Sequence, residues 1–395
     1  MMPCSGPRLR NSKGQSAKTF RISLVRPMRL RSPHYSPVKA KCLRNCDSVG
    51  RVIHSGLPSM VTNTKNSKEK SGSARRRLVH QRGKPAIAIV GGGRLGTALG
   101  QALSAAGYRV EVVVTRHQTS ARRAAKAIGK DTAALTVRQL NRLSRAQSDR
   151  LSLCEVIVIS TPDDAIASVA EQLAIFFNSK VARRGRASSR RVALHTSGAL
   201  SSDVLSPLRQ AGLATGSLHP LVSISDPRTQ LGAFGHAFFA IEGDLPAVRA
   251  AKSIVEDLGG ESFSINANAK ALYHAAAVTA SGQIVALFDI ALEMLVSCGL
   301  SPRRSRQILL PLLESTARNL ATSEPANALT GTFARGDVST AKRHLAAIKS
   351  HKLRDALNAY ILLGQRSLLL AKKRGKSTSG LDQIAEILAA NVKRC

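Results

Sequence analysis

From residue 85 the chain alternates short, unbroken apolar runs with stretches of helical spacing. Residues 86–90 form an apolar run of the kind needed by a strand buried on both faces. Leu95, Leu99 and Leu103 then recur every four residues and predict a helix over 95–106. A strand over 110–115, a helix over 121–128 stopped by Gly129, a strand over 156–160 and an apolar helix over 166–177 continue the alternation. Residues 132–152 are polar and basic with no clear period, and 180–191 read as a basic, solvated loop. Strands over 192–194 and 216–218, with a helix over 200–208 between them, are followed by strand 237–241, helix 247–258 and strand 262–265. This alternation predicts an α/β, Rossmann-type, mostly parallel sheet with right-handed crossovers.

Past Asn266 the pattern changes. Residues 270–296 read as one long Ala/Leu-rich helix stopped by Gly299, and further helical spacing reaches residue 392. The expected organisation is a Rossmann domain over 85–266 and an all-α C-terminal domain over 267–395. No unbroken apolar run reaches the roughly 18 residues of a membrane span, so a soluble protein with no membrane partner is expected.

Residues 1–84 show no sustained apolar period and hold 20 Lys/Arg against Asp47 and Glu69, about half of the net charge of +35. Three readings of this Arg/Ser-rich tail stand open. It is translated sequence upstream of a start at Met60, an organelle transit peptide, or a disordered basic arm that binds polyanions. The chain shows no basic motif interleaved with aromatics and no nucleic-acid-binding fold, so nucleic acid is not the expected partner. Its six cysteines form no CxxC pair and no Cys/His ligand spacing, so neither a disulfide framework nor a metal site is expected. That fits the cytoplasm, or an organelle if the tail is a transit peptide. Cys154 and Cys298 lie in apolar segments and read as small core residues.

Gly91-Gly92-Gly93-Arg94-Leu95-Gly96 fits G-x-G-x-x-G. Alone that pattern is weak, but here it follows an apolar strand and opens a helix, the context that makes it a dinucleotide fingerprint. Gly91 permits the tight turn, Gly93 lets a pyrophosphate approach the backbone and Gly96 lets helix and strand pack closely. The amides of Arg94 and Leu95 then face the anion at the helix N-terminus. About 20 residues on, an NAD site places a carboxylate for the ribose hydroxyls. This chain has Thr115-Arg116-His117-Gln118-Thr119-Ser120 there. With no carboxylate to repel a 2′-phosphate and Arg116 to grip one, NADP is the expected cofactor. Ser160-Thr161-Pro162 follows the next core strand and adds small polar contacts at the same edge, and one of Asp163 and Asp164 is expected to cap the helix that follows.

Four residues stand out as candidates for proton chemistry. His195 and His219 sit at strand ends, where a histidine can protonate a carbonyl or imine reduced by hydride. Lys270 and His274 are four apart and share a helical face, from which an ammonium and an imidazole would project together into the interdomain cleft. Ser197 lies outside any G-x-S-x-G elbow, so no acyl-transfer nucleophile is expected.

The fingerprint, Thr115-Arg116, Ser160-Thr161-Pro162-Asp163, His195-Thr196-Ser197-Gly198, Gly216-Ser217-Leu218-His219-Pro220-Leu221, Lys270-Ala271-Leu272-Tyr273-His274, Ala328-Leu329-Thr330-Gly331 and Arg335-Gly336-Asp337 follow in that order. This series resembles a family that joins a Rossmann-like NADP-binding domain to a C-terminal helical domain of unknown function, similar in fold to pyrroline-5-carboxylate reductase and 6-phosphogluconate dehydrogenase. The resemblance covers residues 85–375. It implies an NADP-dependent oxidoreductase that dimerises through the helical domain, without naming a substrate; taken with the cleft residues, the expected substrate is an unknown small carbonyl, imine or hydroxyacid. In the hydroxyacid branch an Asn stands where this chain has His274, and the glycines expected before Lys270 are missing. Gly282 and Thr332 also depart from the family pattern. Two rival readings remain: a non-catalytic NADP-binding regulator or sensor, and polyanion binding through the tail.

Overall fold

The structure is a computed structural model and describes residues 83–184, 191–227, 232–375 and 379–392. Residues 1–82 of the basic tail, on which all three readings of it fall along with Cys4, Cys42 and Cys46, lie outside the described residues, as does Cys395.

Eight strands form one sheet: β1 Ile87–Val90, β2 Val110–Thr115, β3 Ala133–Thr136, β4 Val156–Ile159, β5 Val192–His195, β6 Ala214–Pro220, β7 Phe238–Gly243 and β8 Glu261–Ser264. Their order is β3-β2-β1-β4-β5-β6-β7-β8. All neighbours are parallel except β6 and β7, which pair antiparallel. The sheet is thus mostly parallel, as expected. The reversal at β7 was not legible, because an apolar run does not encode strand direction.

Alternate side chains of each central strand enter two different cores, because successive residues point to opposite faces. Ile87 and Ile89 pack with Leu99 and Leu103 of α1 (Arg94–Ala105), Ile128 of α2 (Gln118–Ile128) and Ile254 of α6 (Leu245–Asp257). Ala88 and Val90 pack with Leu151 of α3 (Arg145–Leu153), Leu173 and Phe177 of α4 (Asp163–Arg184) and Leu208 of α5 (Ser206–Gln210). Burial on both faces explains why the strands read as unbroken apolar runs.

Several sequence expectations need correction. The span 132–152 contains β3, a 3-10 turn over Val137–Arg142 and α3. Reciprocal side-chain capping by Thr136 with Gln139, and by Ser144 with Gln147, starts these short elements without a hydrophobic period. The supposed loop over 180–191 is helical to Arg184, and 185–190 lie outside the described residues. The helix expected over 200–208 is a 3-10 turn, Ser202–Leu205, followed by the short α5. Cys154 is buried, with its thiol pushed up to about 12 by burial, whereas Cys298 is exposed at a helix end rather than in a core.

The helical domain begins with a 3-10 turn, Ala267–Ala269, and continues as α7 Lys270–Ala280, α8 Gly282–Ser297, α9 Pro302–Thr322, α10 Pro325–Ala328, α11 Thr332–Arg335, α12 Val338–Ser350, α13 Arg354–Lys373 and α14 Ser379–Val392. Leu345, Ile361, Leu368, Ile384 and Leu388 of α12, α13 and α14 form its core. The single helix expected over 270–296 is broken at Ser281, whose φ of −126° and ψ of −77° are not helical. A Ser-Gly pair is a known site of such breaks. Even so, Ala267–Ser297 is long and apolar enough by length and composition to cross a membrane. A count of unbroken runs passes over this stretch, because isolated residues such as His274 and Gln283 interrupt it without lowering mean hydropathy much. None of α8 is fully buried, and Val285 is 70% exposed.

Candidate functional site

The sheet reverses its winding between β1 and β4, and ligands of open α/β sheets bind at the carboxyl edge of such a point. Gly91 leaves β1 with φ of +116°, and a Cβ there would collide with the Ser160 carbonyl at the end of β4. A Cβ on Gly96 would collide with the Gly91 carbonyl. These two glycines let the turn, α1 and β4 close on one another. Gly93, by contrast, faces open space, and no side chain caps α1. The first-turn amides of α1 are therefore available to an anion.

A cleft of about 760 Å³ opens beside this turn. Gly91, Gly93, Thr115, Arg116, Ser120, Ser160, Thr161 and Pro162 line it, as the sequence led us to expect. Arg94, Leu95 and Gly96 do not: Gly96 is buried beneath the turn, and the other two contribute only their position at the helix start. Arg123 and Arg138 join Arg116 in the lining, so three arginines border the cleft. Arg138 was missed because it lies in the 3-10 turn after β3, where the sequence has no period. The Arg116 Nε donates to His117 Nε2 at 3.0 Å. Thr161 Oγ1 is buried there with no hydrogen-bond partner, a vacancy that a ligand oxygen or nitrogen would fill.

The histidines separate into two kinds. His195 is fully buried. Its Nδ1 accepts from the Ser197 amide at 3.2 Å and its Nε2 donates to the Ser201 carbonyl at 3.1 Å. Both nitrogens are committed, and burial, aided by the nearby Lys270 ammonium, lowers its pKa to about 3. His195 thus shapes the turn after β5 and has no proton to offer a substrate. The same turn is held by Ser197 Oγ, which donates to Asp163 Oδ2 at 2.9 Å and accepts from the Ala199 and Leu200 amides. Asp163 therefore anchors this turn; it stands inside the first turn of α4 rather than capping it.

His219, two residues beyond Ser217 on β6, is partly exposed. Its Nδ1 lies 2.7 Å from the Tyr273 hydroxyl, and its ring meets those of Tyr273 and His274 edge-on at 5.5 Å. Burial, then His274 and Lys270, lower its pKa to about 4, while burial lifts Tyr273 to about 12. A Cβ on Gly198 would strike both imidazoles, so glycine is what lets this cluster form.

Lys270 and His274 do not project together. Lys270 is 0% exposed; its Nζ donates to Ser217 Oγ at 2.7 Å and the Ser197 carbonyl at 3.3 Å, with Glu242 Oε1 at 3.9 Å. Burial lowers its pKa, and the Glu242 and Asp163 carboxylates pull it back. Glu242 itself accepts from the Ser202 amide and hydroxyl, each at 2.8 Å. Four residues of α7 rise about 6 Å and two strand residues about 6.6 Å. Lys270 on Ser217 and His274 on His219 are therefore matched steps of helix and strand. Sequence reasoning missed Tyr273, Glu242 and Ser217: the first stood unmarked between two candidates, and the others lie on strands far from Lys270 in the chain. A second cleft, of about 360 Å³, is lined by His219, His274, Leu221, Ser223, Val278 and Ser281 among others.

Two histidines held neutral give stability a pH dependence. An unfolded histidine titrates near 6.5 and binds a proton that folded His195 and His219 refuse. Stability is thus intact above 6.5 and falls as pH drops towards the folded values of about 3 and 4. At pH 5 each costs about 2 kcal/mol. Urea unfolding at pH 7.5 and 5 should show this loss, and His195→Gln should shrink it by about 2 kcal/mol; an unchanged loss would mean that His195 is charged in the fold.

Residues 71–220 match the model of a Rossmann-like domain, and residues 237–367 match that of a domain of unknown function, DUF2520. No curated protein matches the chain. A Bacteroides fragilis protein described as a candidate NADP oxidoreductase is 21% identical, with 73% of this chain and 97% of that one covered at a TM-score of 0.54. A Thermotoga maritima protein is 23% identical, with 73% and 100% covered at a TM-score of 0.54. Plasmodium falciparum pyrroline carboxylate reductase with NADP bound is 12% identical, with 73% and 98% covered at a TM-score of 0.45. The chain therefore carries a Rossmann-like domain followed by a DUF2520 domain.

Proposed function

We propose that the chain is an NADP-dependent oxidoreductase that reduces a small carbonyl or imine, or oxidises the corresponding hydroxy compound. The observation that carries this reading is the pairing of two sites along one sheet edge. A Gly-lined cleft with three arginines sits at the switch point, and a partly buried His219–Tyr273–His274 cluster stands at the end of β6. NADP fits the first: the uncapped α1 amides suit its pyrophosphate, Arg116, Arg123 and Arg138 suit the 2′-phosphate, and Thr161 Oγ1 lacks a partner. The bound cofactor supplies or accepts hydride. The protein's part is to hold the substrate and move the proton. Tyr273 donates to His219 Nδ1, which leaves Nε2–H as the donor to a substrate oxygen or nitrogen. When that atom takes the proton, the Tyr273 hydroxyl resupplies the imidazole, so His219 need never become a cation.

Spectrophotometric NADPH oxidation by the purified chain against carbonyl and imine compounds tests the proposal. Turnover supports it, whereas tight NADPH binding with no turnover would favour the sensor reading. Arg116→Asp should weaken NADPH binding by about 10- to 100-fold, the scale of one charged hydrogen bond, and shift preference towards NADH. An unchanged NADPH/NADH ratio of dissociation constants would move the 2′-phosphate away from Arg116.

The same proposal includes a homodimer formed through the helical domain. Val285 and Leu312, on α8 and α9, are 70% and 64% exposed, and an apolar groove runs between these helices. A soluble chain that left so continuous an apolar face bare would associate through it. Light scattering should give twice the chain mass, and Val285→Glu with Leu312→Glu should give the monomer. A monomeric wild type would refute the dimer.

A further inference from the structure

Resting on the reductase reading, we infer that the substrate is an uncharged ketone or aldehyde with a small apolar flank, and is neither a 2-oxo acid nor an iminium ion. Four features of the cleft around His219 carry this. First, among its described lining residues there is no Lys, Arg, Asp or Glu; the polar groups are the two imidazoles, Ser223 and Ser281, set among apolar side chains such as Leu221 and Val278. A carboxylate entering it would give up water without gaining a cation, and an unpaired charge is among the costliest things to desolvate.

Second, the Lys270 ammonium, the one close by among the described residues, cannot serve as that cation. Lys270 is fully buried beneath the cleft, and its Nζ is bonded to Ser217 Oγ and the Ser197 carbonyl, with Glu242 beyond. Third, burial first, then His274 and that ammonium, disfavour a positive charge on His219. Burial and the ammonium alike disfavour an iminium cation there, and the ammonium alone favours the negative charge that grows on a carbonyl oxygen as hydride arrives.

Fourth, hydrogen-bond polarity agrees. The 2.7 Å contact between Nδ1 and the Tyr273 hydroxyl suits the tautomer in which the tyrosine donates and Nε2 carries the hydrogen, and it is this tautomer that we assign. That donor matches a carbonyl lone pair, but it faces the N–H of an iminium as donor against donor. The atoms balance simply. Hydride bonds to the carbonyl carbon as the carbon–oxygen π pair moves to oxygen, and oxygen takes the Nε2 proton. Tyr273 replaces that proton at Nδ1 and is itself reprotonated from water.

The test uses the full chain with NADPH and probes of similar size: hexan-2-one and cyclohexanone, 2-oxohexanoate, and 2-methyl-1-pyrroline. The ketones should exceed the oxo acid and the imine in kcat/KM by at least roughly tenfold, the scale on which one mismatched pocket group discriminates. Val278→Arg, or Ser281→Arg should the first fold poorly, supplies the missing cation and should raise 2-oxohexanoate relative to hexan-2-one by a similar factor. Preference of the wild type for 2-oxohexanoate or for the pyrroline would overturn the substrate class and leave the reductase reading standing. Absence of NADPH oxidation with every probe would overturn both.

Discussion

Lys270→Ala is expected to lower the stability of the protein by about 3–5 kcal/mol, the cost of removing one partner from a buried charged pair. The ammonium it deletes is wholly buried and joins three strands, through the Ser197 carbonyl after β5, Ser217 on β6 and Glu242 on β7. Its loss leaves the Glu242 carboxylate buried without a cation and frees the first turn of α7 from the sheet. His274 and Tyr273, one turn further on, would lose their register against His219. Lys270→Met with Glu242→Gln removes both charges and should recover part of the stability, because neither charge is then stranded. Urea unfolding of the single and double variants measures this. A Lys270→Ala protein of normal stability but without turnover would instead make Lys270 a catalytic acid, as its position four residues before His274 first suggests.

The second large effect concerns turnover. His219→Ala should reduce it by about 10²–10⁴-fold, the usual contribution of a general acid, with NADPH affinity unchanged because the glycine turn is untouched. Tyr273→Phe should fall in the same direction. The double variant should be little worse than His219→Ala, since two groups that relay one proton act as a unit. His195→Ala should behave differently and lose stability before it loses chemistry, because both its nitrogens bond the backbone of its own turn. If His195→Ala is inactive but stable and His219→Ala is active, the proton path has been placed on the wrong strand.

The contrast between these histidines marks what the sequence could carry. The order of elements was legible because each central strand is buried on both faces and so reads as an unbroken run. The glycines at 91 and 96 were legible because backbone crowding at a strand–helix turn leaves no substitute, and Gly93 was legible from its place in the same fingerprint. Burial of a polar side chain was not. His195 and His219 both follow an apolar run, yet the Ser197–Ser201 turn folds over one and leaves the other at the edge of a cleft. Lys270 reads as an ammonium facing the cleft and Glu242 carries no signal, because what draws them together is the antiparallel return of β7 beside β6. Arg138 lay hidden for a related reason: side-chain caps, not periodicity, build the turn that carries it.

The most direct measurement of the central claim is calorimetric titration of the purified wild-type chain with NADPH and with NADH. The expected result is one NADPH per chain, held at least about tenfold more tightly than NADH, the scale of a charged hydrogen bond to the 2′-phosphate. Absence of NADPH binding, or equal affinity for the two cofactors, would contradict the assignment of the glycine-lined, arginine-flanked cleft to NADP.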